Sequence, residues 1–142
     1  MPAKLPHSLA EWNGAGAAYL PGLVGMRCLK VEPREVIATL EVRQALEAWN
    51  GYLHAGSVVA RADTCCGYGT LRSLPAGATG FTTIERKSNF FGSAREGVIK
   101  CVAKPLHQGR TTQGWDARVS REGAASPIAQ FRNTQLILWP KT

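Results

Sequence analysis

The chain has 142 residues, of which 44% are hydrophobic and 19% are charged. This composition is ordinary for one globular domain with its own core, and it argues against an intrinsically disordered chain. No apolar run reaches the length of a membrane span, and the opening residues MPAKLPHSLAEW lack the apolar core of a secretory signal. We therefore expect a cytoplasmic protein without a membrane partner.

The net charge of +7 leaves three interpretations open: nucleic-acid binding, binding of a polyanionic small molecule such as a nucleotide-bearing cofactor, and a plain basic surface. Charge alone favours the third, because the sequence has no helix-turn-helix, zinc-finger or aromatic RNA-binding motif. The four cysteines form no CxxC motif and no paired histidines accompany them. This pattern predicts buried free thiols and no metal site.

The first predicted element is a helix. Ser8 and Glu11 have the spacing of a capping box, which predicts a helix from Ser8 to about Tyr19, ended by Pro21-Gly22. A hairpin follows, with strands over Met26–Glu32 and Val36–Arg43 joined by a turn at Pro33-Arg34-Glu35.

A second, longer helix is predicted from Gly56 onward. Its apolar positions recur at steps of three and four residues and carry small side chains: Val58, Val59, Ala62, Cys65, Cys66 and Gly69. Such a slim face allows a sheet to approach closely. Asp63 lies at the edge of this face, where an acid has poor helix propensity and needs an explanation. From the residues alone, the more ordinary explanation is that Asp63 is a solvated residue at the edge of this face.

Four more strands follow a break at Pro75-Ala76-Gly77. They are predicted over Thr79–Phe91, Val98–Leu106, Thr111–Arg121 and Ile128–Trp139. Short connections between consecutive strands favour an antiparallel sheet, and one long helix against it is an α+β arrangement. The exposed edges of such a sheet predict pairing with a second copy of the chain.

The entry into the long helix, Gly51 to Gly56, is punctuated by glycine. Free amides at a helix start bind anions and developing oxyanions, and Asp63 follows about two turns later. An oxyanion site and a carboxylate are the parts that acyl transfer needs.

These residues also carry a family resemblance. Gly51-x-x-His54-Ala55-Gly56 followed by Ala62-Asp63-Thr64, then Thr82-Thr83-Ile84-Glu85 and Asn89-Phe90-Phe91, resembles the signature of hotdog-fold acyl-CoA thioesterases. The group it resembles most is that of the phenylacetate-degradation thioesterases. The acid lies nine residues after His54, as in the family pattern, whereas Ala55 replaces the first glycine of the family's H-G-G. The resemblance implies one hotdog domain over residues 1–142 with an N-terminal helical segment over 1–22. In this fold a curved antiparallel sheet of five to six strands wraps one central helix.

The resemblance further implies hydrolysis of an aryl- or medium-chain acyl-CoA without a cofactor. Asp63 would act as general base or nucleophile, and the Ala55 N–H, aided by that of Gly56, would hold the oxyanion. Thr83 would place the attacking water, and His54 would either take part or only cap the helix. The site would lie between the subunits of a homodimer or of a dimer of dimers.

The remaining site residues are candidates for substrate contacts. Asn50 or Gln44 would take the place of the Asn or Gln that precedes the His in relatives. Tyr68 and Phe90 would line the acyl pocket or fill the core, and Arg86, Lys87 and Arg110 would contact the phosphates of CoA. Two other functions stay open on the same fold: a thioester hydratase or dehydratase, and an acyl-CoA binder without catalysis.

Overall fold

A long helix packs against a six-stranded antiparallel sheet, whose strand order is β1-β2-β4-β5-β6-β3. The computed structural model describes residues 4–142. The strands are β1 Arg27–Glu32, β2 Glu35–Glu41, β3 Gly80–Phe90, β4 Val98–Gln108, β5 Thr112–Arg121 and β6 Ala129–Leu138. The helices are α1 Leu9–Gly16, α2 Leu20–Leu23 and α3 Ala55–Arg72, with a 3₁₀ turn at Gln44–Leu46. The prediction of one long helix against five to six antiparallel strands is confirmed.

The N-terminal segment differs from the prediction. Ser8 caps α1 through its hydroxyl, which accepts the Glu11 N–H at 3.2 Å, but the helix ends at Gly16 and not near Tyr19. Gly16 lies against the Tyr68 hydroxyl so closely that a Cβ there would be 2.7 Å from the oxygen. Pro21 then lies in the first turn of α2, where the missing N–H of proline costs nothing, so Pro21-Gly22 belong to a second helix. Of the predicted 1–22 segment, residues 1–3 lie outside the described part.

The small-residue face of α3 lies on the sheet as predicted. Val58, Ala62, Cys65, Cys66 and Gly69 are buried, whereas Val59 is only partly covered. A Cβ at the glycine position would lie 2.3 Å from the ring of the buried Trp115 on β5. The close approach of helix and sheet therefore requires glycine at position 69.

Arg61 is the unexpected residue of this face. Its side chain is fully buried, and Nη1 donates a hydrogen bond to the Ile99 carbonyl of β4 at 2.6 Å. Nε and Nη2 have no hydrogen-bond partner within residues 4–142. Burial lowers the pKa of the guanidinium, which means that the charge is held in the core at a cost.

We expect Arg61→Met to leave the free energy of unfolding unchanged or to raise it. Methionine keeps most of the volume and removes two unpaired buried donors. Arg61→Ala should instead lower this free energy by about 2–4 kcal/mol through the cavity it leaves. Urea unfolding of the two variants measures the difference. Equal destabilisation by methionine and alanine would show that the charge itself stabilises the core.

Strand β3 forms one edge of the sheet, so one side of its backbone has no strand partner in the described chain. Exposed apolar side chains accompany this edge: Ile84, Phe90 and, just beyond the strand, Phe91. An edge of 11 residues with apolar side chains is the kind of surface that pairs with another strand.

None of the helices within residues 4–142 is long and apolar enough to cross a membrane.

Candidate active site

Asp63 lies in the middle of α3, at the border between the buried and the exposed face. Its side chain is 31% exposed, and the Arg86 guanidinium of β3 approaches Oδ2 at 3.6 Å. Oδ1 is buried and has no hydrogen-bond partner in the described chain. The carboxylate is therefore partly shielded from solvent, with an ion pair to Arg86 at Oδ2 and an oxygen, Oδ1, that is unpaired among the described residues.

Burial raises the pKa of Asp63 above its ordinary value. The positive charge of Arg86 and, to a smaller extent, the amide of Asn133 on β6 oppose this rise. The Asn133 amide is near enough to favour the ionised carboxylate, although the two side chains do not meet hydrogen-bond geometry in this conformation. A carboxylate whose pKa is shifted upward is a better proton acceptor near neutral pH.

The start of α3 provides one free amide and one that is occupied. The ring of His54 caps the helix, since its Nδ1 accepts the Gly56 N–H at 2.7 Å. The Gly56 N–H is thus not free in this structure, which does not favour its predicted share in the oxyanion site. Ala55 is an exposed residue, and its N–H has no hydrogen-bond partner within residues 4–142. A free amide at the positive end of a helix dipole suits a developing oxyanion.

Ala55 and Asp63 of one chain cannot meet at one substrate atom. They are eight residues apart on the same helix, which separates them by about 12 Å along its axis. A carbonyl oxygen at the Ala55 N–H would leave the Asp63 carboxylate far beyond reach of the same carbonyl carbon. The two groups can act together only if they come from different copies of the chain.

Thr83 lies on β3, and its hydroxyl donates a hydrogen bond of 2.6 Å to Oε1 of Gln135 on β6. The Thr83 oxygen keeps its lone pairs for accepting a hydrogen bond, which is compatible with holding a water. Gln135 itself is buried, and its Nε2 has no partner in the described part of the chain.

Two apolar pockets adjoin α3. One, of about 440 Å³, adjoins Ala55 and is lined by Asn50, Val58, Phe90 and Ile128. Within it, Asn50 uses its side-chain oxygen to accept the Tyr52 N–H at 3.2 Å. The other pocket, of about 690 Å³, lies between α1 and α3. Its lining includes Trp12, Tyr19, Tyr68 and Leu71.

In the second pocket the Tyr68 ring packs on the Trp12 ring with centroids 4.9 Å apart. Tyr68 lies on the side of α3 that faces α1 and β1, whereas Asp63 faces β3 and β6 at the other end of the sheet. Of the two pockets, only the one beside Ala55 therefore adjoins a group that acyl transfer requires.

The three predicted phosphate-binding residues occupy different places. Arg86 lies beside Asp63, and its side chain is 52% exposed. Lys87 is exposed on β3. Arg110, in the β4–β5 turn, places its guanidinium 4.2 Å from the centroid of the Trp139 ring. All three stay predicted contacts with phosphate, at separate places on the surface.

Residues that could bind a metal do not cluster. Within the described residues, no group of three His, Cys, Asp or Glu side chains could hold an ion. Cys28, Cys65, Cys66 and Cys101 are buried free thiols, as the sequence predicts.

Sequence reasoning missed the polar residues of β6 that lie under α3. Asn133 and Gln135 alternate with exposed positions in the strand, and the sequence pattern predicts only that they share a face with Phe131 and Ile137. All four are buried. Two carboxamides at inward positions of a core strand were the available signal, because such groups are rarely buried without a polar partner.

Known proteins match both the sequence and the structure. The chain is 27% identical over 99 residues to 1,4-dihydroxy-2-naphthoyl-CoA hydrolase of Listeria monocytogenes, a match that covers 70% of this chain and 80% of that protein. The structure of a mutant of thioesterase PA1618 from Pseudomonas aeruginosa superposes with a TM-score of 0.87 at 24% identity, over 95% of this chain and 96% of that one.

A hypothetical thioesterase from Streptococcus pneumoniae, solved with coenzyme A, superposes with a TM-score of 0.73 at 18% identity, over 83% of this chain and 92% of that one. The superpositions confirm the predicted hotdog fold. The sequence profile of the thioesterase superfamily matches residues 50–128, more than half of the chain and the part that contains His54, Ala55, Asp63 and Thr83. The chain belongs to the thioesterase superfamily.

Proposed function

We propose that the protein hydrolyses acyl-CoA thioesters to a free acid and CoA. The observation that carries this proposal is the pairing of a half-buried carboxylate, Asp63, whose pKa is raised by burial, with a free helix N-terminal amide at Ala55. Thioester hydrolysis needs a base or nucleophile and an oxyanion donor. It needs little help at the leaving group, because a thiol of pKa about 8–9 departs as thiolate.

The reaction has two routes that use the same residues. As general base, Asp63 removes a proton from water while the water oxygen attacks the thioester carbon and the C–S bond breaks. As nucleophile, the Asp63 oxygen attacks the same carbon, CoA leaves as thiolate, and water then hydrolyses the resulting anhydride. In both routes the carbonyl oxygen gains charge and accepts a hydrogen bond from the Ala55 N–H. The hydroxyl of Thr83 holds the attacking water in this proposal.

The site is assembled from two copies of the chain. The separation of about 12 Å between Ala55 and Asp63 in one helix excludes a site within one protomer. Pairing of two copies through the β3 edge brings a second α3 alongside the first, because β3 lies at the end of the sheet and Asp63 contacts its residue Arg86. We therefore propose a homodimer as the smallest active unit. A dimer of dimers is compatible with the same site.

The substrate class follows from one pocket and the surface charge. The apolar pocket of about 440 Å³ beside Ala55, lined by Phe90 among others, suits an aryl or medium-length acyl group. The naphthoyl-CoA substrate in the name of the Listeria relative supports an aryl group. The coenzyme A in the Streptococcus structure supports the CoA moiety, and the net charge of +7 suits its phosphates. Arg86, Lys87 and Arg110 are the proposed contacts. Membership of the phenylacetate-degradation group stays a prediction.

A thiol-release assay tests the proposal. Benzoyl-CoA, phenylacetyl-CoA, hexanoyl-CoA and palmitoyl-CoA are mixed with the protein, and free CoA is followed with a thiol reagent. We expect turnover of the aryl and medium-chain substrates by a species that sediments as a dimer or larger. Binding of all four without release would indicate a non-catalytic acyl-CoA binder. Hydration of crotonyl-CoA without release would indicate a hydratase. Full activity of a stable monomer would contradict the shared site.

A further inference from the structure

Asn133 lies in the core without the hydrogen bonds that a buried carboxamide normally makes. Its side chain is 1% exposed, and neither Nδ2 nor Oδ1 has a partner within residues 4–142. An unpaired buried donor or acceptor costs about 1–3 kcal/mol, so native cores rarely keep one without a reason. The thioesterase superfamily profile ends before this residue, at position 128.

A second buried carboxamide shows what a structural role looks like. Gln113 on β5 donates to the Ser73 carbonyl at 3.1 Å and accepts from the Trp115 indole at 2.9 Å. Its polar atoms tie the end of α3 to the sheet. Asn133 makes no comparable bond in the described chain, so stability of the core does not account for it.

A hydrogen-bond acceptor for the Asn133 amide lies beside it, on Asp63. Asp63 Oδ1 is likewise buried and unpaired among the described residues, and the Asn133 amide is close enough to favour the ionised form of that carboxylate. The strand partner of Asn133 is Arg86, whose guanidinium approaches the other oxygen, Oδ2. Each oxygen of Asp63 therefore has its own neighbour, the amide on the buried side and the guanidinium on the exposed side.

We propose that Asn133 is a positioning residue for Asp63. The Nδ2–H of Asn133 donates to Oδ1 of Asp63 and so turns Oδ2 of the carboxylate toward the thioester. The proposal rests on the catalytic role of Asp63 proposed above. A small rotation of either side chain completes this bond and satisfies both atoms. The bond holds the carboxylate in one orientation, which reduces the freedom that the reaction would otherwise have to remove. It also favours the ionised, reactive form.

The charged and titratable neighbours of Asp63 bear on any pH effect. They are Arg86 on β3 and the Cys66 thiol one turn further along α3, and burial raises the pKa of this thiol well above its ordinary value. A neutral thiol does not alter the charge of Asp63 near neutral pH. The acid limb of the pH profile is therefore governed by burial, Arg86 and Asn133.

The test compares Asn133→Leu with Gln113→Leu as the matched control, since both replace a buried carboxamide by an apolar side chain. For Asn133→Leu with benzoyl-CoA or hexanoyl-CoA, we expect kcat to fall about 10- to 100-fold with little change in KM. The acid limb of kcat should move to higher pH, while Tm falls less than in Gln113→Leu, because removal of Oδ1 of Asn133, which is unpaired in the described chain, offsets the lost bond to Asp63. Gln113→Leu should lower Tm and leave the acid limb in place.

Two readouts keep this test separate from the catalytic assignment. A ¹³C NMR titration of Asp63 should show a higher carboxyl pKa in Asn133→Leu, without need of turnover. In an Asp63→Asn background, Asn133→Leu should change the residual rate by less than about twofold, because the coupled partner is gone. If Asp63→Asn alone kept full activity, the catalytic role of Asp63 would be excluded, irrespective of the result for Asn133→Leu.

Several outcomes would overturn the inference. One is an Asn133→Leu enzyme with the wild-type kcat and an unmoved acid limb. Another is a loss of kcat that accompanies a fall in Tm like that of Gln113→Leu, again without a change in the pH profile. Should the leucine variant not fold, Asn133→Asp keeps the shape and replaces the donor by an acceptor. Asn133→Asp must then move the acid limb of the kcat profile to higher pH, and an unchanged limb would contradict the proposed contact.

Discussion

Asp63→Asn is expected to lower kcat for thioester release by about 10²- to 10⁴-fold, the usual contribution of a positioned base. The amide keeps the size of the side chain but can neither accept the proton of water nor form an anhydride. Binding of acyl-CoA should persist, because the pockets and the Ala55 amide are untouched. Thiol release under saturating substrate measures kcat, and calorimetric titration with a CoA thioester measures binding.

Asp116→Asn is the matched control for this prediction. Asp116 lies on β5 and pairs with Arg132 through both carboxylate oxygens, at 2.6 and 2.9 Å. Its loss removes a surface ion pair, which contributes little, and should leave kcat unchanged. Full hydrolysis by Asp63→Asn would exclude Asp63 as the catalytic acid. Equal losses in the two variants would point to a general charge effect.

The Asp63→Asn substitution should not unfold the protein. The pKa of Asp63 is raised in the folded state, so at neutral pH the folded chain holds an ionised group that is better solvated in the unfolded chain. Below about pH 3 both states are protonated and this cost disappears. Asp63→Asn is therefore expected to have the higher Tm at pH 7, with the difference shrinking as the pH falls toward 3. Thermal unfolding across this range checks the sign.

Ala55→Pro is expected to lower kcat about 10²- to 10³-fold, the usual effect of removing one oxyanion donor. Proline has no N–H, so the substitution deletes the proposed donor and nothing else of the backbone. Position 55 is the first residue of α3, where proline is favoured, and His54 has the extended conformation that proline demands of its predecessor, with φ −65° and ψ 137°. The loss should appear in kcat more than in KM.

Ala55→Ser keeps the N–H and serves as the control for local changes at the helix start. It should retain activity within a fewfold, and both variants should unfold at about the wild-type Tm. If Ala55→Pro were folded and fully active, the Ala55 amide would not be the oxyanion donor. A proline variant with normal kcat and raised KM would assign this amide to ground-state binding.

Local patterns predicted most of the architecture correctly. The alternation of β6 and the small-residue face of α3 describe which sides are buried, because side-chain period and burial are linked in a regular element. The prediction failed where distant contacts decide. The first helix ends at Gly16, and the Tyr68 hydroxyl, more than fifty residues away in sequence, leaves no room for a side chain at that position. Arg61 is buried because the β4 carbonyl of Ile99 accepts its hydrogen bond, which no pattern within α3 reveals.

The candidate site shows the same division. The spacing of His54, Ala55 and Asp63 is encoded in one helix and its entry loop, so the sequence alone determined the amide, the carboxylate and the distance of about 12 Å between them. Only the tertiary structure decided the environment of that carboxylate. Burial under the sheet, Arg86 on one oxygen and Asn133 beside the other come from strands 23 and 70 residues further along. A carboxylate's proton affinity depends on what surrounds it in space, and those neighbours assemble only when the sheet closes over the helix.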